Sequence, residues 1–101
     1  MAGKLFAVIR TRGPRWNDDQ PMERQEDWRS HADFMNALAA NGFVVLGGPL
    51  MATRDVLLIV RAADEAEVEA RLAEDRWTVK DLLRTRQISP WWLRLGSLDN
   101  P

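Results

Sequence analysis

A single histidine, His31, stands in the stretch "WRSHADFM" from Trp28 to Met35. Imidazole is the side chain whose unperturbed pKa, about 6.5, suits proton transfer near neutral pH, so the chemistry open to His31 is general acid or general base work. A working base needs a partner on one ring nitrogen, and a carboxylate in that place also fixes the tautomer. Three aspartates come into question. Asp27 is four residues earlier on the same helical face. Asp33 is two residues later and points away. Asp75 ends the second predicted helix and reaches His31 only if the fold brings it there. Spacing alone favours Asp27, although an i, i+4 pair is more often a solvated helix pair than a catalytic one. Read by itself, a lone histidine on an apolar stripe is a structural residue.

Two further groups have types suited to binding. In "LGGPL", Leu46 to Leu50, Gly47 and Gly48 remove side chains inside a strand, which makes room for a bulge or for close approach by a ligand, and Pro49 fixes the exit. No Lys-Ser/Thr pair and no helix follows, so this is not a phosphate loop. Arg10, Arg12 and Arg15 cluster where the first strand meets its loop, and guanidinium matches carboxylate geometry. The plain reading is solvated loop charge; the functional one is a hold on an anionic small molecule. The five tryptophans, Trp16, Trp28, Trp77, Trp91 and Trp92, read as core or interface packing.

Other chemistries are disfavoured. The chain has no cysteine, which removes disulfides, thiolate catalysis and thiolate metal sites, and one histidine makes a metal site within one subunit improbable. No cofactor is expected. With 14 basic and 15 acidic residues the net charge is -1, so no field of one sign invites nucleic acid. No apolar run approaches the ~18 residues that suggest a membrane span, and "LFAVI" is too short for a secretory signal. The expectation is a cytoplasmic protein with no membrane partner.

The elements that must position these residues follow from the apolar pattern. Leu5–Ile9 reads as a first strand and 11–21, with Gly13-Pro14, Asn17-Asp18-Asp19 and Pro21, as a loop. Trp28, His31, Met35 and Leu38 recur at helical spacing, which predicts a helix from Met22 to Ala40, ended by Asn41-Gly42. Residues 43–50 and 55–62 are two strands joined by "MATR" as a hairpin. A second helix covers 64–75 with Asp64 as its N-cap, and "RWTVKDLLRT" has room for a short extra turn. Residues 83–96 form a last strand interrupted at Pro90, hence at an edge or bulged there, and the last five residues read as frayed.

The order β-α-β-β-α-β is the split βαβ, ferredoxin-like arrangement: an α+β fold with a four-stranded antiparallel sheet and both helices on one face. At 101 residues it is one domain, 1–101, with an ordered core of about 3–96. An open sheet face should alternate apolar and polar. "LFAVI", "FVVL" and "VLLIV" do not, and two helices cannot cover both faces. The simplest cover is a second copy of the sheet in a homodimer, a dimeric α+β barrel.

Taken together, "LFAVIRTRGP", "HADFMNALAANGFVVLGGPL", "VLLIVRAADEAEVEARLAEDRW" and the closing "ISPW" resemble the YCII-related (YciI-like) family over nearly the whole chain. The marks of the resemblance are a His at the head of the first helix, here His31; a Gly-Pro after the second strand, here Gly48-Pro49; and an Ala-x-Asp-Pro-aromatic segment, here Ala73 to Trp77. The resemblance implies a ferredoxin-like subunit, a dimeric barrel and a His/Asp centre in which His31 is the histidine and Asp75 the aspartate. Arg76 stands where that family has Pro, a change that bears on the turn placing Asp75. One similar group eliminates chloride from a chlorinated aromatic compound without a cofactor.

Two functions are therefore expected in competition. The first is a cofactor-independent enzyme: His31 and Asp75 catalytic, Arg10, Gly47, Gly48 and Pro49 binding a small, anionic substrate, and elimination, isomerisation or hydrolysis as the reaction. The second is a non-catalytic dimeric module that binds a small molecule or regulates a partner.

Overall fold

The computed structural model describes residues 3–98. In chain order it contains β1 (Lys4–Arg12), a 3-10 turn at Met22–Arg24, α1 (Trp28–Ala40), β2 (Val44–Pro49), β3 (Asp55–Ala62), α2 (Glu65–Leu72), α3 (Arg76–Val79) and β4 (Leu83–Pro90). The strands form one antiparallel sheet in the order β2-β3-β1-β4, the order of a ferredoxin-like α+β fold. Among the described residues no helix is long and apolar enough to cross a membrane.

Strand period decides what each face carries. Phe6, Val8 and Arg10 of β1 stand opposite Val60, Leu58 and Val56 of β3. With Leu38 of α1 and Val68 and Leu72 of α2, the apolar members of this set form the main core, so both long helices pack on one side. A second cluster, Trp16, Trp77, Leu82 and Leu83 with Met22 and Trp28 against it, fills the end of the sheet near α3. The other face carries Leu5, Ala7, Ile9, Leu57, Ile59 and Leu46, and Leu46 is 54% exposed. Arg61, Gln87 and Ser89 border this apolar centre, and no helix among the described residues covers it.

The helix caps follow the local sequence. Asp64 accepts from the Glu67 N–H at 2.9 Å and starts α2, while Gly42, at φ 88°, closes α1. Three boundaries differ from expectation. The first helix does not begin at Met22. Gln25 is extended, and its buried amide bonds Asn17 and the Gln20 carbonyl; Asp27 then takes a left-handed φ of 59°, and α1 starts at Trp28. The second helix stops at Leu72, and Asp75 caps a separate short helix, α3. The last strand ends at Pro90 rather than 96, so Trp91 and Trp92 follow it rather than alternating within it. β4 is an edge strand as expected, but its irregularity lies opposite Ile9 and Arg10 rather than at Pro90. The expected frayed end, 97–101, falls mostly outside the described residues.

One close approach ties the segment just after α3 to the loop just after β1. The Gly13 N–H donates to the Leu82 carbonyl at 2.8 Å, and a Cβ at Gly13 would meet the Asp81 carbonyl oxygen at 2.3 Å. Backbone cannot move aside as a side-chain tip can. Gly13→Ala is expected to cost about 1–3 kcal/mol of stability by overpacking, read as a lower urea midpoint at unchanged slope.

Candidate functional site

β1, α1 and α3 meet at a buried carboxylate. Asp75 is fully buried and Arg10, from the middle of β1, is 1% exposed. The His31 Nδ1 lies 2.9 and 3.0 Å from the two Asp75 oxygens, Arg10 Nη1 donates to Oδ2 at 3.0 Å, and the Trp77 backbone N–H donates to Oδ1 at 3.1 Å. The other Arg10 nitrogen, Nη2, donates to the Thr78 hydroxyl, which itself donates to the Leu72 carbonyl at 2.8 Å. Arg10 Nε makes no hydrogen bond among the described residues.

The local sequence accounts for this placement. Asp75 is the N-cap of α3, an aspartate role that aims the side chain at the first-turn N–H groups. Arg76 takes the N1 position where Pro is favoured; the cap forms all the same, and the Arg76 guanidinium lies 3.9 Å from Asp27. Arg10 reaches Asp75 because it shares the helix-side face of β1 with Phe6 and Val8.

Electrostatics set the protonation of the aspartate. Burial is the largest influence and opposes its charge. The His31 hydrogen bond and charge, the Trp77 N–H and the Arg10 cation outweigh it together and hold the carboxyl below its ordinary 3.8. Burial also draws Arg10 down, against the charge and hydrogen bond of Asp75. An ionised Asp75 can only accept, so Nδ1 carries the proton and the free nitrogen of His31 is Nε2. The ring is held from its face as well: Trp77 stacks on it at 3.7 Å with 8° between planes, and the Trp77 indole N–H donates to the Glu26 carbonyl.

His31 also lines a cavity of ≈ 290 Å³ between α1, β2 and the end of β1, at the small end of the range for ligand sites. Arg10, Gly47, Gly48 and Pro49 line it too, so the structure brings the expected binding residues to one cavity with the histidine. Asp75 does not line it. Their parts differ, however. Arg10 has both terminal nitrogens engaged by Asp75 and Thr78, so it holds the aspartate instead of offering an open clamp. A Cβ on Gly47 would meet Leu58 Cδ2 at 2.7 Å, whereas one on Gly48 would meet nothing within 4 Å. The absent side chain at Gly47 therefore serves packing against Leu58 on the cavity side.

Asp27, the partner that spacing favoured, is not within reach of the ring. Its carboxylate lies 2.8 Å from Lys80 Nζ, and only its carbonyl engages His31, accepting the backbone N–H at 3.0 Å. Two residues with clear parts in the site had no reading of that kind in the sequence, Thr78 and the stacking Trp77. A tryptophan two residues after a capping aspartate was the signal available for the second; nothing local marks Thr78. Among the described residues no group of three His, Asp or Glu could hold a metal ion.

The family model of the YCII-related domain matches residues 5–92. No curated protein matches the chain.

Removing the carboxylate strands a buried guanidinium, so Asp75→Ala is expected to destabilise the fold by about 3–5 kcal/mol, measured by chemical denaturation. The pH dependence has a definite sign. A carboxyl lower in the folded than in the unfolded chain contributes stability that is complete above 3.8 and is lost as pH falls through the folded value. Asp75→Asn should flatten the acid limb of the stability curve relative to the parent.

Proposed function

The chain belongs to the YCII-related family, and from that premise we propose that it is a cofactor-independent enzyme using His31 as general base and acid on a small molecule in the cavity. One observation carries the reading: an imidazole locked on one nitrogen by a buried, ionised Asp75 leaves Nε2 without a hydrogen bond among the described residues, in a ring that lines a largely apolar cavity. A histidine serving only packing has no need of that arrangement.

In the proposed cycle Nε2 takes a proton from substrate. The imidazolium that forms is stabilised through Nδ1–H by Asp75, and its proton is then delivered to the leaving group or to another atom of the substrate. Arg10 acts through Asp75, keeping it ionised and fixed. Trp77 keeps the ring in plane and covers one face from water. Elimination, isomerisation and hydrolysis all use this proton traffic. We place the reaction in the cytoplasm, where the absence of cysteine and of disulfides is ordinary.

The same reading includes a homodimer formed through the open sheet face. Leu46, Ile59 and Ala7 make one cross-strand row there, and Gly48, Leu57 and Ile9 the next. Burial of such rows against a second copy gives the apolar area that a short chain lacks on its own.

Two experiments test these points. In a screen of small carbonyl, halogenated and cyclic substrates, His31→Ala should lose about 10²- to 10⁴-fold in turnover. Equal turnover in both proteins would leave the binding-module reading in its place. In sedimentation equilibrium the protein should run at twice its 11.6 kDa mass, and Leu57→Lys should shift it toward monomer; a parent protein that is already monomeric removes the barrel.

A further inference from the structure

Arg12 lies two residues beyond Arg10 on β1, on the same face of the strand, and it lines the same cavity. Its situation is different from that of its neighbours. Arg10 is engaged by Asp75 and Thr78, Arg54 by Asp18 at 2.8 Å, Arg84 by Asp81 and Arg86 by Asp55 at 2.9 Å. The Arg12 side chain makes no hydrogen bond and no ion pair among the described residues. Its one contact of that strength is with a ring face: Cζ sits 4.6 Å from the Trp16 centroid. A cation held over a ring in this way still has its N–H donors to offer.

The rest of the cavity narrows what those donors would meet. Most of its wall is apolar, with Met35, Val44, Val56, Leu58, Trp16 and Trp77, and Asn36 adds one neutral amide. Asp55, the one carboxylate on the lining, is already paired with Arg86. So the cavity offers one unpaired cation at the β1 end, a proton-transfer nitrogen at His31, and apolar surface between. A ring ladder joins the two ends: Arg12 on Trp16, Trp16 edge-on to Trp77 at 5.2 Å, and Trp77 stacked on His31.

We propose that Arg12 is the substrate-anchoring residue and that the ligand class is a monocarboxylate borne on a small apolar ring or branched chain. The fork of N–H donors matches a carboxylate. A single unpaired cation beside a paired aspartate suits one negative charge and not two. The proposal deepens the assignment of this cavity as the reaction site and rests on it.

The test measures binding, so it does not depend on knowing the reaction. Benzoate, benzamide and phenyl phosphate are titrated into the full chain, followed by tryptophan fluorescence and calorimetry. Benzoate should bind about tenfold or more tighter than benzamide, the ratio expected of a charge-assisted pair over a neutral one, and should be preferred to phenyl phosphate. Arg12→Met should erase the benzoate preference while leaving benzamide unchanged. Arg12→Lys, which keeps charge without the fork, should fall between. Benzamide binding as well as benzoate, a preference that survives Arg12→Met, or no binding of any of the three would each overturn the proposal. His31→Ala separates this from the catalytic reading. If that variant keeps the benzoate preference and also keeps full turnover, catalysis by His31 fails and the anchor stands. If turnover depends on His31 and the preference does not depend on Arg12, the anchor alone fails.

Discussion

The carboxylate of Asp75 is the point on which the architecture of this protein turns. Taking such a charge out of water costs several kcal/mol unless it is paired and hydrogen-bonded. Each of its three donors comes from a different element: Arg10 from the sheet, His31 from the first long helix, and the Trp77 N–H from the short helix that Asp75 caps. No pair of these elements satisfies it alone. The requirement to bring all three together therefore fixes where α3 sits against β1 and how α1 is turned about its axis. An apolar trio of similar volume would hold the corner at least as well. It would not hold a histidine in one tautomer beside a cavity, and that difference is what the proposed chemistry rests on.

Aromatic packing does for the site what the main core does for the sheet. Trp77 is 1% exposed, stacked on His31, edge-on to Trp16 and near Trp28 at 5.8 Å. These rings keep water from the Asp75 side of the imidazole, where the hydrogen bond is stronger for being in a low-dielectric surrounding. They also couple the loop between β1 and α1 to α3, because Trp16 belongs to that loop and its neighbour residue Gly13 touches the backbone at Asp81 and Leu82.

How far the site was legible in the sequence depends on how local each interaction is. The first three strands, the start of the fourth, the inward-facing stripe of α1, the Asp64 cap and the Gly42 stop are written within a few residues of where they act, and each is found in place. The start of α1 was not legible, since it depends on a buried Gln25 amide bonding back to Asn17 and Gln20, and on a left-handed Asp27. The partner of His31 was ambiguous for the same reason. Spacing offered Asp27, but Lys80, more than fifty residues away, engages that carboxylate. Resemblance, not spacing, pointed to Asp75, which is separated from His31 by 44 positions. Arg10 was legible as a residue of the site and not as a holder of Asp75, because only the pairing of β1 with the rest of the fold decides which of three nearby arginines is buried.

The irregularity between β1 and β4 is what lets one edge strand serve two clusters. Ile9 pairs with Gln87 but Arg10 pairs with Thr85, so Arg86 is the extra residue. Strict alternation from Ile88, which faces the main core, would send Arg84 and Arg86 inward and Leu83 outward. The extra residue reverses the phase. Arg84 and Arg86 stand exposed and pair with Asp81 and Asp55, while Leu83 turns in to the tryptophan cluster and the cavity wall. The reversal sits beside Arg10, where β1 passes from packing the core to holding the carboxylate. A regular strand at that edge would turn Arg84 and Arg86 toward Arg10 and Arg12 and crowd like charges onto the helix-side face, away from Asp81 and Asp55, the carboxylates that now pair them.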